Sequence, residues 1–525
     1  MSAGAPRRAI PEETLRKQAV ASYPGHSVWV SAHAGSGKTH VLSQRVIRLL
    51  LRGADPARIL CLTYTRAAAA NMSKRVFEDL ARWTELSDAD LSERIARMEG
   101  AAPKASDLER ARTLFALALE TPGGLKVQTI HAFCESILHQ FPLEANIAAH
   151  FQMLDTRMEA ALVAEARRDM ISGVAGGGDK KLSEAFATVL DRAGEFGLDA
   201  LLGEIVAKRD RLRAFIDAAD DGSRQFVSLF DEMGVDPAVS EEEIAGQVWP
   251  LPGFPPDIFD RFVAIAQQEN AANVNKWILP AAIAGFNESD AVARLRLLAR
   301  GFLNGNGGAY ATERTFGKIA KFMPDVVERY LDATRALISA IERIATLRMV
   351  ADTRAALVVA DFLIARYEVL KASRGFLDFN DLITRTGRLL GRVDAGAWVQ
   401  YKLDQGIDHI LIDEAQDTSP EQWAVVHALS GEFFAGAGAR GEINRTVFAV
   451  GDEKQSIYSF QGASPGAFSD NRIRFSVSAR NAGKPFETVE LKQSFRSTSD
   501  VLRAVDCIFD NDATRQGVAA DRFTH

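Results

Sequence analysis

Cysteine is scarce in this sequence: Cys61, Cys134 and Cys507 stand far apart, with no CxxC pair. That spacing argues against a disulfide framework and against a zinc or iron–sulfur site built by this chain alone. Also missing is any uninterrupted apolar run of about 18 residues, so no membrane-spanning helix is expected. The opening stretch MSAGAPRRAIPEETLRKQ has basic residues but no apolar segment behind them. It is unlike a secretory signal, and the chain reads as cytoplasmic. Nor is there a surplus of positive charge: 62 Lys and Arg face 69 Asp and Glu, a formal net charge of −7. A nucleic-acid role therefore has to come from a local groove, because phosphate contacts depend on where the cations sit.

What is present is ordinary globular composition, 47% hydrophobic and 25% charged over 525 residues, enough for roughly three to four domains. Short apolar runs bounded by turn residues occur near both ends: Val28–Ser31, Arg58–Thr63, Lys126–Thr129, His409–Ile412, Thr446–Val450 and Thr488–Leu491. Helical patterns follow most of them, which predicts an α/β fold with a parallel sheet. Between residues 142 and 374 the strand signal nearly vanishes. Apolar residues recur there at helical spacing, as in Val327, Tyr330, Leu331, Ile338 and Ile341. Glycine and proline clusters such as Gly305-Asn306-Gly307-Gly308 punctuate the region, which reads as an all-helical domain inserted into the α/β domain. The glycine-rich stretch Gly436–Gly441 reads as a turn before a strand.

Residues Val28 to Thr39 read VWVSAHAGSGKT: a strand, a glycine-rich loop, then a helix opening at about Lys38. A nucleoside triphosphate needs this combination, because glycines let backbone N–H groups converge on phosphate oxygens at a helix N-terminus. The loop Ala32-His33-Ala34-Gly35-Ser36-Gly37 would cradle the phosphates of ATP, with Lys38 on the β and γ phosphates and the Thr39 hydroxyl on Mg²⁺. The usual first glycine is Ala32 here. Far downstream, the strand His409–Ile412 ends in Asp413-Glu414-Ala415-Gln416-Asp417. Adjacent carboxylates suit phosphoryl transfer to water, Asp413 on the metal and Glu414 on the attacking water.

The run DEAQD after ILI, with AGSGKT upstream, resembles motifs II and I of UvrD/Rep-type superfamily 1 helicases, and further matches follow in the family's order. Leu15-Arg16-Lys17-Gln18 is similar to the Q motif, which implies that Gln18 reads the adenine edge. ILCLTYTRAAAANM (59–72) and TIHAFC (129–134) resemble motifs that touch single-stranded DNA. VGDEKQSIYSFQGA (450–463) is similar to motif III, and ELKQSFRSTSDVL (490–502) to motif IV. The resemblance implies that Gln455 senses the γ-phosphate and that Arg496 acts as an arginine finger from a second motor domain. Thr63, Thr65, Thr129 and His131, at strand ends, can bond DNA phosphates without reading sequence. Tyr64, Phe133, Tyr458 and Phe460 are placed to stack on bases. Gln461 stands where the wider family carries Arg, which puts one phosphate contact in doubt.

Within the superfamily the resemblance is closest to the AddA and RecB-like subunits of helicase–nucleases. It implies a RecA-like motor domain in two parts (1–141 and 375–485), an inserted helical domain (142–374), and the start of a second RecA-like domain (486–525). It also implies single-stranded DNA and duplex ends as substrates, 3′ to 5′ movement in recombinational repair, and an AddB-like partner. A stand-alone UvrD/Rep-type helicase and an ATP-gated DNA-binding module without turnover are the alternatives. Motifs V and VI and a nuclease domain belong to the family pattern beyond motif IV, and the sequence given stops at His525. The expectation is that these 525 residues bind ATP·Mg²⁺ but hydrolyse it slowly and do not unwind DNA. Brisk DNA-stimulated hydrolysis by the 525-residue polypeptide in a coupled phosphate-release assay would contradict it.

Overall fold

The computed structural model describes residues 10–176, 179–220, 222–392, 395–404, 406–434, 443–457 and 464–515. The chain divides into two compact units, Met1–Asp155 with Gly375–His525, and Thr156–Arg374.

The first unit is built on strands β1 (Ser27–Ala32), β2 (Ile59–Thr63), β3 (Lys126–Thr129), β6 (His409–Ile412), β7 (Thr446–Gly451) and β8 (Phe486–Leu491). Among the described residues these form one sheet in the order β3-β2-β6-β7-β1-β8, and every pairing is parallel. A short separate pair joins β4 (Gln152–Met153) to β5 (Phe376–Leu377). The central strands are apolar on both faces, as a parallel sheet between two helical layers requires. Trp29, Leu60, Leu62, Ile410, Ile412, Val447 and Ala449 point into one core, with Phe133 and Ile137 packed over them. Val28, Val30, Ile59, Cys61, Leu411, Phe448 and Val450 point into the other. Helices α1 (Glu12–Ala21), α2 (Lys38–Leu51), α3 (Arg66–Glu85), α4 (Asp88–Glu99), α5 (Ala105–Glu120) and α6 (Ile130–Gln140) complete the N-terminal part. Cys61 and Cys134 are buried free thiols, and Cys507 is exposed. Among the described residues no helix is long and apolar enough to cross a membrane.

The second unit is helical. Its spine is the 48-residue helix Val326–Ser373, against which Lys180–Ala207 packs. A phenylalanine-rich core of Phe254, Phe262, Phe302, Phe316 and Tyr330 gathers on the first half of that spine, and ion pairs from Asp361 to Arg213 (2.5 Å) and Arg224 (2.7 Å) tie down the second.

Three expectations change. β8 pairs along its whole length with β1, from Ser27↔Phe486 to Ala32↔Leu491. Residues 486–491 are therefore the outer strand of the first sheet, not the first strand of a second one. Residues 142–155 also belong to the first unit, because β4 pairs with β5 there, so the helical unit begins at Thr156. On the spine, Tyr330 is buried but Leu331 and Ile341 are each 38% exposed; the buried stripe runs through Ala333, Leu337, Ala340 and Ile344 instead. The stretch Gly436–Gly441 lies outside the described residues.

The end of the sheet away from the loops is held by a buried arginine. Arg45, on α2, is fully buried and donates to the carbonyls of Tyr23 and His26 (the latter at 2.6 Å) and to Thr446 Oγ1 at 2.9 Å. Because the Thr446 oxygen accepts from the guanidinium, its own proton goes to His409 Nδ1, 2.9 Å away. That fixes the neutral imidazole with its proton on Nε2. Burial, and then the charge of Arg45, push the His409 ring down to about 3. This chain of bonds clamps α2 to β6 and β7, the elements that carry Lys38, Asp413 and the turn after Gly451. Arg45→Leu strands those acceptors in the core, and an unfolding free-energy loss on the order of 3 kcal/mol is expected in urea titrations, with the m-value unchanged.

Candidate active site

The phosphate loop is shaped by two glycines in the left-handed region, Gly35 (φ 76) and Gly37 (φ 92), and α2 opens at Lys38 immediately after. Gly35 is required for a second reason. A Cβ there would stand 2.6 Å from the Arg496 Cβ and 2.8 Å from Ser494 Oγ. The chain leaving β8 lies along the loop: His33 N donates to Leu491 O (3.0 Å), Ser494 Oγ to Ala34 O (3.0 Å) and Phe495 N to Gly35 O (2.8 Å). Gln18, on α1, reaches the loop from the other side, its Nε2 3.5 Å from Ser36 O and close to Gly37.

The loop lysine and the acidic strand end meet. Lys38 Nζ is 2.7 Å from Glu414 Oε2 and 3.3 Å from Gln455 Oε1. Glu414 takes a left-handed backbone conformation (φ 48), costly for a residue with a side chain, and turns its carboxylate onto the loop. Asp413 is 8% exposed. Burial, and then the neighbouring Glu414 carboxylate, push its carboxyl up to about 6. Asp417 is raised to about 6 by the same two causes.

Gln416, which sequence reasoning passed over, is the hub of this cluster. Only 1% exposed, it donates from Nε2 to Glu414 Oε2 (2.9 Å) and to Asp417 Oδ2 (3.0 Å), and accepts from Asp452 N (2.9 Å) on Oε1. Gly451 leaves room for it, since a Cβ there would sit 2.6 Å from Oε1. The signal was in plain view, because a polar residue between two carboxylates on a buried strand end needs internal partners.

The residues fit ATP with Mg²⁺. Ser36 Oγ is buried inside the loop without a hydrogen-bond partner, a donor aimed where phosphate oxygens would lie. The Thr39 hydroxyl and the Asp413 carboxylate are the hard oxygen ligands Mg²⁺ prefers, and a cation beside Asp413 would relieve the charge burden that raises its carboxyl. A cleft of about 540 Å³ lined by Arg52, Arg58, Asp408 and His409 lies at the other end of the strands. Its arginines are already paired, Arg58 with Asp408 at 3.2 Å and Arg52 with Glu99 at 2.9 Å, so it is a weaker anion site than the loop.

The expected DNA contacts fare unevenly. Thr65 is exposed and caps α3 through Ala68 N (3.1 Å); Thr63 is buried and its hydroxyl donates to Thr65 O (3.0 Å). Thr129 is buried and caps α6 through Ala132 N (3.2 Å). Tyr64 is half-buried and shares a small cleft with Asp413 and Thr418. Phe133 is not at a loop: it lies on α6, 4% exposed within the core, and has no face to offer a base. Burial pulls the half-buried His131 imidazole below its ordinary range, so at neutral pH it is an uncharged donor rather than a cation. Its ring meets Phe379 edge-on at 5.7 Å, and Phe379 is 57% exposed. Phe379 also went unread. The capping box Asp378–Asp381 starts the helix Phe379–Gly391 and sets this side chain at its exposed first position. Tyr458, Phe460 and Gln461 lie outside the described residues.

Gln416→Leu keeps the volume and removes every polar contact. In steady-state ATPase assays it is expected to lower kcat by about 100-fold, as misplaced catalytic groups do, with KM for ATP changed far less. Unchanged kcat would remove Gln416 from the machinery.

Comparison with known proteins agrees with this geometry. The family described as the UvrD/REP helicase N-terminal domain matches residues 13–476. Similar curated proteins, named as the AddA-type subunits of ATP-dependent helicase/nucleases, include one from Geobacillus thermodenitrificans, 25% identical over 521 residues (92% of this chain, 38% of that protein). Others come from Pelotomaculum thermopropionicum, 27% identical over 530 residues (92% and 37%), and Latilactobacillus sakei, 24% identical over 521 residues (95% and 55%). The chain thus spans between 37% and 55% of the length of these relatives. With strand, loop, acidic pair and family match in agreement, the chain belongs to the UvrD/REP helicase family.

Proposed function

We propose that this chain is the ATP-binding and DNA-gripping part of an ATP-dependent DNA helicase subunit. Its motor would move 3′ to 5′ on single-stranded DNA and open duplex ends in recombinational break repair. The observation that carries the reading is the meeting of Lys38 with Glu414 and Gln455, because it brings a phosphate-binding cation, a water-activating carboxylate and a sensor amide to one point. The relatives are named as subunits of ATP-dependent helicase/nucleases, which supports a place within such an assembly. There an AddB-like chain is the expected partner.

In this reading Gln18 holds the adenine and the loop amides with Ser36 Oγ hold the phosphates. Thr39 and Asp413 would ligate Mg²⁺, whose charge eases electron flow to the departing phosphate oxygens. Lys38 is shared: it pairs with Glu414 in this structure and would turn to the β and γ phosphates of ATP. Once released from the ammonium, Glu414 orients the attacking water and takes its proton as the bond to the γ-phosphorus breaks. Arg496, whose backbone rests on Gly35 and whose side chain is exposed, would neutralise charge on the leaving phosphate. Tyr64, Thr65, His131 and Phe379 offer a sequence-independent surface for bases and phosphates. Residues past Arg496 would lead into a second RecA-like half that closes on the nucleotide.

The test uses the full-length gene product with its partner. Lys38→Ala should abolish binding of a fluorescent ATP analogue. Glu414→Gln should retain binding while kcat falls by roughly 100-fold or more. Unwinding should require ATP and favour a 3′ single-stranded tail. Full activity in both variants would sink the proposal.

A further inference from the structure

The turn after β7 touches the phosphate loop twice. Gln455 Oε1 accepts from Lys38 Nζ at 3.3 Å, at the end of the loop. Lys454 Nζ lies 3.2 Å from Nε2 of His33, at its beginning. Two adjacent residues of one turn therefore grip both ends of a six-residue loop. An ammonium offers only donors, so His33 Nε2 is the acceptor and its ring is neutral in this contact.

The turn is rigid enough for the grip to count. Asp452 caps it, accepting from Lys454 N at 3.3 Å and from the Gln455 side-chain amide. The Asp452 N–H is itself bound to Gln416 at 2.9 Å. His33 is fixed from behind, its N–H on Leu491 O at 3.0 Å. Burial draws the Lys454 ammonium below the ordinary lysine range, against the pull of the Asp452 and Asp506 carboxylates. A flexible four-carbon stem could instead carry that charge into water, so its half-buried placement beside the imidazole costs solvation that a surface lysine avoids.

Resting on the reading of this loop as the ATP site, we propose that Lys454 is a positioning residue whose bond to His33 holds the turn against the phosphate loop. Gln455 is thereby kept aimed at Lys38, and movements of the loop pass to the residues that follow it. Lys454 acts through Gln455 and need not touch ATP.

The experiment is steady-state ATPase on the full-length protein with saturating single-stranded DNA. Lys454→Met and His33→Leu, two independent ways of breaking the contact, should each lower kcat by about tenfold, with KM for ATP within about twofold. Lys454→Arg and His33→Gln, which retain a donor and a neutral acceptor, should restore most of the rate. The double variant should be no slower than either single. A rise in KM at unchanged kcat would make Lys454 a nucleotide ligand and overturn the proposal, as would multiplicative single effects or failure of both conservative variants. Lys38→Ala separates the two levels. If it leaves hydrolysis intact, the ATP-site reading fails; if it abolishes hydrolysis while Lys454→Met behaves as wild type, only the present proposal fails.

Discussion

An ammonium and a carboxylate 376 positions apart in the chain meet at 2.7 Å, and the rest of the first unit serves that meeting. It requires β1 and β6 to end at the same edge of the sheet, with β7 between them delivering a third loop. Parallel pairing makes all three loops leave from one side, which is where doubly wound sheets place their ligands. The two apolar cores fix that arrangement, because a shift of one residue in any central strand would turn its Val, Ile and Leu side chains to the wrong face. The charge cluster rides on this support and is strained by it: a left-handed Glu414, two carboxyls raised to about 6 and a wholly enclosed glutamine.

The sequence was most readable where local chemistry decides structure. Strand runs such as Lys126–Thr129 and His409–Ile412 lie where their apolar patterns put them, and GSGKT and DEAQD announced a phosphate loop and an acidic strand end. What could not be read depends on distant partners. Nothing in FETVEL says which sheet it joins, and the open edge of β1 decided that. Phe133 looked like a loop aromatic because TIHAFC follows a strand, but Thr129 caps α6 at once and the helical turn carries Phe133 inward. Thr63 and Thr129 were read as phosphate contacts when much of their bonding is already spent on the backbone nearby.

Gln416, Phe379 and Lys454 share another kind of obscurity. Each is an ordinary residue in an informative neighbourhood, and its importance comes from what it reaches across the fold. Gln416 meets Asp452, 36 positions away, and Lys454 meets His33 at a separation of 421. Motif matching names the conspicuous members of such clusters, and geometry supplies the quiet ones.

The pair β4–β5 has a consequence of a different kind. Gln152 lies beside Phe376 and Met153 beside Leu377, so the chain departs for the helical unit and comes home at neighbouring points, about one strand spacing apart. A doorway that narrow makes the intervening 156–374 segment topologically a cassette. Helices within it can lengthen, shorten or be exchanged without disturbing the register of the six strands, leaving the motor half and the helical half free to diversify at separate rates.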